Sequence, residues 1–475
     1  MMERDQIRKI VEEVVRRVAS SEGGRVALAP PPAGSLGLYD RVDDAVEAAG
    51  KAQQKWVALS LEKRHECVEA MRCISLEKAQ EMAQLAHVET GLGRPENKLA
   101  KNILQARRTP GPEDLEPTVY TGDHGMTLME LAPFGVICSV TPTTNPVATI
   151  VNNSISMVSA GNAVVFSPHP RAKGCCIKMI QHLNQAISQA GGPENLLTTV
   201  REPSQEVSQT LMKHPGVRCL VVTGGPGIVK LAMTSGKKVI AAGPGNPPVV
   251  VDCDADLVRA ARSVVDGASF DNNIMCTCEK EVFIVDKAFR EFKERVVACG
   301  CYELNPRQLE ELTRVIFKPP AVGKTYPQLN GDLVGLYASD IAKTIGLDLP
   351  RETRLLVAET PADHPLVQNE QMMPVLPLVA CRNIQEAIEQ AVKAEGGRAH
   401  TAVMHSRNIE HLSWMAKVSN ANIFVKNGPN YAGLGFGGEG STTMTIAGST
   451  GEGVTTARTF TRQRRCALID SFRII

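Results

Sequence analysis

The sequence predicts an α/β fold of two doubly wound domains, and three observations support that class. The chain has 475 residues, which is longer than a single compact core usually extends. From residue 126, short strand-like runs alternate with helical patterns, the order typical of a parallel sheet covered by helices. The alternation starts again after Gly243. We therefore expect one α/β domain before Gly243 and a second that extends to about residue 440.

The apolar spacing assigns most elements of these domains. Residues 42–106 have helical periodicity throughout, which predicts a layer of helices before the first sheet. Residues 115–130 and 457–475 have strand character and lie outside both α/β series. The predicted strands of the two series are 135–140, 163–166, 197–200 and 219–222, then 248–251, 281–285, 355–358, 376–379 and 401–404.

The N-terminal segment predicts an amphipathic helix on a tether. Residues 1–20 place Ile and Val at helical spacing, with charged residues of both signs on the other side. The Pro- and Gly-rich residues 21–35 predict a flexible linker. The helix could dock on its own protein, on a membrane or on another protein. The linker disfavours the first and the mixed charge disfavours the second, so we favour a protein partner.

Composition excludes several classes of partner. The formal net charge is +1 with acids and bases interspersed, so nothing indicates binding to nucleic acid. The sequence contains no apolar run long enough to cross a bilayer and no signal peptide, which predicts an intracellular protein with no membrane partner. The 13 Cys are scattered without metal-site spacing, which favours reduced thiols and predicts no metal centre.

The loop 270–280 contains two candidate nucleophiles. It joins a helix that begins near Leu257 to a strand, and loops on such scaffolds often carry reactive groups. A thiol held as thiolate can form a covalent adduct with a carbonyl carbon. Cys276 and Cys278 would share a face of an extended segment, so spacing does not choose between them. Either could instead be a buried apolar thiol.

Two turns at predicted strand ends are candidate ligand sites. Asn145 lies in the turn after strand 135–140, where its amide could donate to an oxyanion or simply cap the next helix. The run Gly224-Gly225-Pro226-Gly227 would let backbone N–H groups approach an anion, but a plain tight turn fits equally well. The run at 242–246 could likewise be a ligand site or only a crossover between the two domains.

Together these motifs resemble the aldehyde dehydrogenase superfamily, and most closely its coenzyme A-acylating members of bacterial microcompartments, the propionaldehyde and acetaldehyde dehydrogenases. The resemblance covers nearly the whole chain and is most specific at residues 270–280, 427–435 and 451–460. It implies the aldehyde dehydrogenase fold, with an NAD-binding domain at 36–114 and 131–242 and a catalytic domain at 243–440. It also implies oligomerisation strands at 115–130 and 457–475, and a homodimer or homotetramer.

The resemblance also implies roles for individual residues. Cys276 would be the nucleophile, with Cys278 a bystander, and Asn145 the oxyanion donor. Glu370 would contact the nicotinamide ribose. The full set of expected cofactor-binding residues is Thr141, Pro142, Ser167, Thr223, Gly224, Gly225, Gly243 and Glu370.

Two departures from the hydrolytic relatives define the expected activity. Ala241 stands where those enzymes carry a general-base Glu, and Ala cannot activate water. The expected reaction is therefore oxidation of propanal or ethanal with NAD, followed by acyl transfer from a cysteine thioester to coenzyme A. Ser167 stands where those relatives have a Lys that contacts the adenosine ribose, so the preference between NAD and NADP stays open. The alternatives are a hydrolytic aldehyde dehydrogenase, an acyl-phosphate reductase and a non-catalytic cargo scaffold.

The resemblance gives the N-terminal helix a purpose as well. In microcompartment enzymes, tethered peptides of this kind direct the cargo into a protein shell. Residues 1–20 are therefore expected to bind shell proteins, and the chain is expected in the cytoplasm, inside the microcompartment lumen.

Overall fold

The fold is described from a computed structural model, which covers residues 35–319 and 328–475. The predicted targeting helix at 1–20 and all of the predicted linker except Ser35 lie outside the described residues. Within them, no helix combines the length and apolarity needed to cross a membrane.

Strands and helices alternate along most of the described chain. The strands are β1 (Leu38–Tyr39), β2 (Thr118–Gly122), β3 (Gly125–Pro133), β4 (Val136–Thr141), β5 (Ala163–Pro168), β6 (Leu197–Val200), β7 (Cys219–Thr223), β8 (Lys238–Ala242), β9 (Pro248–Val251), β10 (Glu281–Val285), β11 (Tyr302–Glu303), β12 (Phe317–Lys318), β13 (Gln328–Leu329), β14 (Leu356–Glu359), β15 (Val375–Cys381), β16 (Thr401–His405), β17 (Ile423–Lys426), β18 (Ile446–Ala447), β19 (Gly453–Val454) and β20 (Thr461–Ile469). The α-helices are α1 (Val42–Ala58), α2 (Leu61–Glu77), α3 (Ala79–Thr90), α4 (Pro95–Arg108), α5 (Pro146–Ser159), α6 (Lys173–Gln189), α7 (Gln205–Lys213), α8 (Pro226–Met233), α9 (Leu257–Ala268), α10 (Asp286–Ala298), α11 (Pro306–Ile316), α12 (Ala338–Lys343), α13 (Pro365–Gln368), α14 (Ile384–Glu395) and α15 (Ile409–Ser419).

The first sheet is parallel and has the strand order β1-β6-β5-β4-β7-β8. Its central strands are buried along their whole length, as expected of a sheet covered by helices on both faces. The chain leaves β4 for β5 on one side and later returns to β7 on the other. The carboxyl ends of β4 and β7 therefore flank a topological switch point, the usual ligand crevice of such sheets.

The predicted helical layer consists of α1 to α4. Its inner face joins the core of the first sheet, where Trp56 is fully buried and its indole N–H donates to the carbonyl of Val158 at 2.9 Å. This bond satisfies the one polar group of a large buried side chain. The layer thus holds α4 firmly beside the first sheet.

The second sheet is also parallel, with the order β11-β14-β15-β10-β9-β16-β17. Its central strand β10 is buried along its whole length, and the loop 270–280 enters it from the amino end. The predicted two-domain α/β class is confirmed. Strands β1, β8, β11 and β17 were not predicted. Strands β1 and β11 have only two residues each, β8 begins with the exposed Lys238, and β17 ends with the exposed Lys426.

A small antiparallel sheet, β2-β3-β20, forms the predicted strand extension. The predicted end at residue 130 is wrong, since β3 continues to Pro133 and pairs there with Thr461. The prediction of strand from 457 is also too early, because residues 457–460 form a 3-10 turn before β20 begins. The region 115–130 therefore contains β2 and the start of β3, the region 457–475 contains β20, and the rest of both regions is turn or coil.

Candidate active site

A cleft of about 880 Å³ lies where the carboxyl end of the first sheet meets the loop before β10. Strand ends and turns from both domains line it, so residues far apart in sequence share one cavity. All ten predicted site residues belong to this lining. They are Thr141, Pro142, Asn145, Ser167, Thr223, Gly224, Gly225, Gly243, Cys276 and Glu370.

The loop that carries Cys276 has an unusual backbone. Asp271, Asn272 and Asn273 have φ of 47°, 54° and 66°, a left-handed conformation that Asn and Asp tolerate better than other residues with side chains. Turns follow up to Cys278, so the segment is not extended and the expectation that both thiols share a face is wrong. Cys276 is partly buried and lines the cleft. Cys278 is fully buried in the core of the second domain.

The surroundings of Cys276 favour the protonated form of its thiol. Burial and the nearby Glu370 carboxyl together raise the pKa of the Cys276 thiol to about 12, although the Lys280 ammonium lowers it. The expectation of surroundings that hold a thiolate is therefore not met by these side chains alone. A buried neutral thiol needs an additional positive charge or donor before it becomes a strong nucleophile.

Asn145 occupies the N-cap position of α5, but within the described chain its side chain makes no capping bond. The Oδ1 atom instead accepts from the Lys101 ammonium, and Nδ2 donates to Thr144 Oγ1 at 3.2 Å. The backbone carbonyl of Asn145 accepts from the Thr149 hydroxyl at 2.7 Å, which fixes the turn. The amide is thus held beside the cleft by contacts other than a cap.

The glycine turn after β7 presents backbone to the cleft. Gly225 is the N-cap of α8, and a side chain added to it would meet open space. A Cβ on Gly224 would lie 2.8 Å from Ile228 Cγ2, so this position needs a residue without one. Open N–H groups at a helix N-terminus form a surface suited to a phosphate.

Hydroxyl groups line the same wall. Ser167, at the end of β5, is buried and lies 2.8 Å from Ser208 through their hydroxyl oxygens. Thr223 lies 3.3 Å from the Thr445 hydroxyl. The buried Thr141 hydroxyl has no hydrogen-bond partner among the described residues, although it lines the cleft. An orphaned buried hydroxyl of this kind is available to a ligand.

Glu370 carries the only carboxylate among the described residues that line the cleft. Burial raises its pKa, while Lys280, Arg398 and the Gly245 N–H lower it. His169 also lines the cleft, and its Nδ1 accepts from the Arg171 N–H at 3.2 Å.

Ala241, at the position expected for a general-base Glu, is a fully buried residue of β8. Its backbone N–H donates to the Thr450 hydroxyl at 3.0 Å. A water-activating carboxylate is therefore absent from this position, and Glu370 is left as the cleft's one candidate.

Sequence reasoning missed a set of buried ionisable groups behind the thiol. Lys101 on α4 contacts both Asn145 and Asp271 Oδ2, and burial lowers its pKa to about 8 despite the opposing effect of Asp271. Burial alone would raise the Asp271 pKa, but Lys101 and Lys98 hold it below the usual value. The only sequence signal is the run Asp271-Asn272-Asn273, since nothing in the pattern of α4 marks Lys101 as buried.

His400 was also missed. A Cβ on Gly245 would lie 2.5 Å from the Cys276 carbonyl oxygen and 3.0 Å from His400 Cγ, so the imidazole lies close to the backbone of Cys276. Burial lowers the His400 pKa to about 4, and its Nε2 is buried with no partner in the described part of the chain. No group of three or more His, Cys, Asp or Glu in residues 35–319 and 328–475 is arranged to hold a metal ion.

The fold and site define a dehydrogenase-like protein with a cysteine loop facing a dinucleotide-type crevice. Residues 35–299 match the model of the aldehyde dehydrogenase family, and the chain belongs to that family. It is 50% identical, over the full length of both chains, to the acetylating acetaldehyde dehydrogenase EutE of Escherichia coli (strain K12). It is 43% identical to the CoA-propanoylating propanal dehydrogenase of Salmonella typhimurium (strain LT2), covering 98% of this chain and 99% of the relative.

Solved structures give the same result. A Rhodopseudomonas palustris propionaldehyde dehydrogenase with bound propionyl-CoA has a TM-score of 0.89 and 45% identity, covering 92% of this chain and 96% of that one. A second structure of the enzyme contains CoA and an acylated cysteine, with a TM-score of 0.89 and 99% of that chain covered. The Clostridium phytofermentans propionaldehyde dehydrogenase of a fucose utilisation microcompartment has a TM-score of 0.90 and 42% identity, covering 93% and 100%. The resemblance inferred from the sequence is confirmed.

Proposed function

We propose that this protein oxidises a short aliphatic aldehyde, ethanal or propanal, with NAD and transfers the acyl group from Cys276 to coenzyme A. The observation that carries this proposal is the single cleft in which Cys276, the Asn145 amide and the glycine turn at Gly224 and Gly225 converge. The relatives named for acetylating and propanoylating activity support the choice of reaction and of both aldehydes.

The proposed reaction passes through a thioester on Cys276. Cys276 loses its proton to solvent and its sulfur attacks the aldehyde carbon, while the Asn145 amide stabilises the resulting oxyanion. NAD supplies the acceptor for the hydride that leaves that carbon. The resulting acyl group stays on Cys276 as a thioester until the sulfur of coenzyme A attacks it and releases the Cys276 thiolate. The net reaction consumes aldehyde, NAD and CoA and yields acyl-CoA, NADH and one proton.

Each wall of the cleft has a proposed task. The turns that contain Thr141 and Pro142, Ser167, Thr223 to Gly225, and Gly243 would hold the cofactor, with the pyrophosphate near the start of α8. Glu370 would contact the nicotinamide ribose. Residues 36–114 and 131–242 would form the NAD-binding domain and residues 243–440 the catalytic domain.

The choice of acyl acceptor rests on the buried alanine of β8. Coenzyme A is partly thiolate near neutral pH and needs less help from a base than water does. Ala241 offers no such help, which favours CoA over hydrolysis. Phosphate as acceptor, which would make an acyl phosphate, has no comparable support in the cleft.

The test is an assay with C2 to C4 aldehydes and NAD or NADP, each with CoA, with phosphate and with neither, followed by mass spectrometry of the products. We expect acyl-CoA with ethanal and propanal and little product without CoA. Free acid formed at the same rate without CoA would contradict the proposal, as would acyl phosphate. A non-catalytic scaffold would give no NADH in any mixture.

We also propose that the small sheet β2-β3-β20 joins subunits into a homodimer or homotetramer. Tyr120 and Ile469 expose 60% and 66% of their surface there, although both are large and apolar. Such a patch on a sheet favours burial against another copy. Light scattering should give a mass of two or four chains, and Tyr120→Glu together with Ile469→Glu should reduce it.

Residues 1–20, outside the described structure, are proposed to bind shell proteins and bring the enzyme from the cytoplasm into a microcompartment lumen. The similar enzyme from a fucose utilisation microcompartment supports this location. Deleting residues 1–20 should abolish co-purification with shells while turnover is retained. Continued co-purification would contradict the proposal.

A further inference from the structure

Lys101 occupies an unusual position for a lysine. Only 3% of its surface is exposed, and its ammonium group contacts two side chains, Asn145 through Oδ1 and Asp271 through Oδ2. Lys98, one turn earlier on α4, is equally buried. Of the two side chains Asn145 and Asp271, its ammonium group contacts only Asp271, at 3.3 Å. Burying an ammonium group costs free energy unless hydrogen bonds and ion pairs offset the lost hydration. A buried lysine in this position therefore indicates a specific role.

We infer that Lys101 is a positioning residue that fixes the orientation of the Asn145 amide, so that an N–H group and not the carbonyl oxygen faces the oxygen of the reacting aldehyde. This inference rests on the proposed function, in which Asn145 donates to the oxyanion. An amide can turn over with little change of shape, and its two ends then exchange places. An ammonium group can only donate hydrogen bonds. It therefore pairs with the amide oxygen Oδ1 and not with the amide nitrogen Nδ2.

The surrounding contacts keep Lys101 itself in place. Asp271 is anchored by the Arg94 backbone N–H at 2.5 Å and donates its own N–H to Asn97 Oδ1 at 2.9 Å. Its carboxylate therefore sits at a fixed point between the two lysines. The Lys101 ammonium group therefore places a positive charge directly against the Asn145 carbonyl oxygen.

That charge has a second effect on the amide. A cation at Oδ1 draws electron density from the amide nitrogen and makes its N–H groups stronger donors. Thr144 Oγ1 accepts one of them at 3.2 Å. The other N–H of Asn145 remains for a developing anion, where a preorganised donor has its largest influence.

The two lysines supply a matched pair of variants. Lys101→Met removes the contact with Asn145, whereas Lys98→Met removes an equally buried lysine that contacts only Asp271 of this pair. We expect Lys101→Met to lower kcat by about tenfold to a hundredfold with a smaller change in the aldehyde KM. Lys98→Met should stay within about threefold of the parent. Circular dichroism and thermal melting verify that both variants fold.

A double-mutant cycle separates positioning from general destabilisation. Asn145→Ala should cost about a hundredfold to a thousandfold in kcat, and Lys101→Met should then add little, because the amide that it orients is gone. Equal losses from Lys101→Met with and without Asn145 would overturn the inference. If Lys101→Met does not fold, Lys101→Gln is used in the same cycle, with the same two outcomes.

The cycle is informative only if the parent enzyme makes acyl-CoA, which is measured first. A parent without that activity would refute the proposed function. An active parent with an additive cycle would refute the role of Lys101 alone.

Discussion

The two walls of the cleft are built in different ways. The wall from the first sheet consists of strand ends, glycines and neutral hydroxyls, such as Gly224, Gly225 and Ser167. The wall that carries Cys276 is supported by buried charged groups, among them Asp271 and Lys280. A surface for binding can be formed from backbone and small side chains, whereas a surface for chemistry needs groups held rigidly in place. The following predictions test that difference, beginning with the largest effect.

Cys276→Ala and Cys278→Ala should differ by orders of magnitude. The first removes the proposed nucleophile and should lower aldehyde-dependent NADH formation about a thousandfold or more. The second truncates a buried core thiol by one atom and should leave activity within about fivefold, with a lower melting temperature. Mass spectrometry of protein trapped with aldehyde and NAD should find the acyl group on Cys276. Acylation of Cys278 would reverse the two assignments.

Alkylation of Cys276 should depend steeply on pH. Because burial raises its pKa to about 12, the thiolate fraction should grow about tenfold per pH unit from pH 7 to 9, a hundredfold in all. Iodoacetamide labelling followed by peptide mass spectrometry measures this rate, with the exposed Cys73 as an internal reference for the reagent. A rate that levels off below pH 8 would show that the free enzyme already holds a thiolate.

Gly225→Asp should weaken cofactor binding at the wall formed by the first sheet and leave the wall that carries Cys276 unchanged. The position has room for a side chain, so the variant should fold normally. Its carboxylate at the start of α8 would repel a pyrophosphate, and the KM for NAD should rise about tenfold. Gly225→Ala is the control and should change that KM little. A slower labelling rate of Cys276 in Gly225→Asp would contradict the separation of the two walls.

Glu279→Gln should alter how stability varies with pH. Burial raises the Glu279 pKa to about 8, although hydrogen bonds from Asn430 lower it. Between pH 4.5 and 8 the folded protein keeps a proton that the unfolded chain releases, so stability falls as pH rises, by up to about 1.4 kcal/mol per unit. The Gln variant lacks the titrating carboxyl, so its denaturation midpoint should vary less with pH across that range. Parallel curves for both proteins would contradict it.

The same contrast explains what the sequence predicts well. Strands such as Leu197–Val200 and Glu281–Val285 have the predicted bounds, because both are short segments rich in β-branched residues. The glycine turn and the Asn145 turn follow such strands directly, so their meeting at one sheet edge follows from the fold class. The site residues placed by resemblance all reach the cleft for that reason.

The supporting charges could not be predicted in this way. Lys101 and Asp271 are 170 positions apart, and each looks like an ordinary surface residue in its own segment. Strand β8 was missed because it begins at the exposed Lys238 and ends in two alanines. The choice between Cys276 and Cys278 required the turn geometry of the loop, which periodicity does not reveal. Only the first of these three cases is decided by a long-range contact; the other two depend on local composition and local turn geometry.

The left-handed run Asp271-Asn272-Asn273 has a consequence for how this protein tolerates change. A branched or bulky residue at any of the three would strain the backbone that delivers the thiol, whether or not its side chain approached a substrate. In a saturation mutagenesis library selected for growth on aldehyde-yielding nutrients, we expect this triplet to accept little beyond Asn, Asp and Gly. Its intolerance would record the left-handed backbone together with the contacts of Asp271 with Lys98 and Lys101, and would be as sharp as that of the proposed nucleophile three positions later.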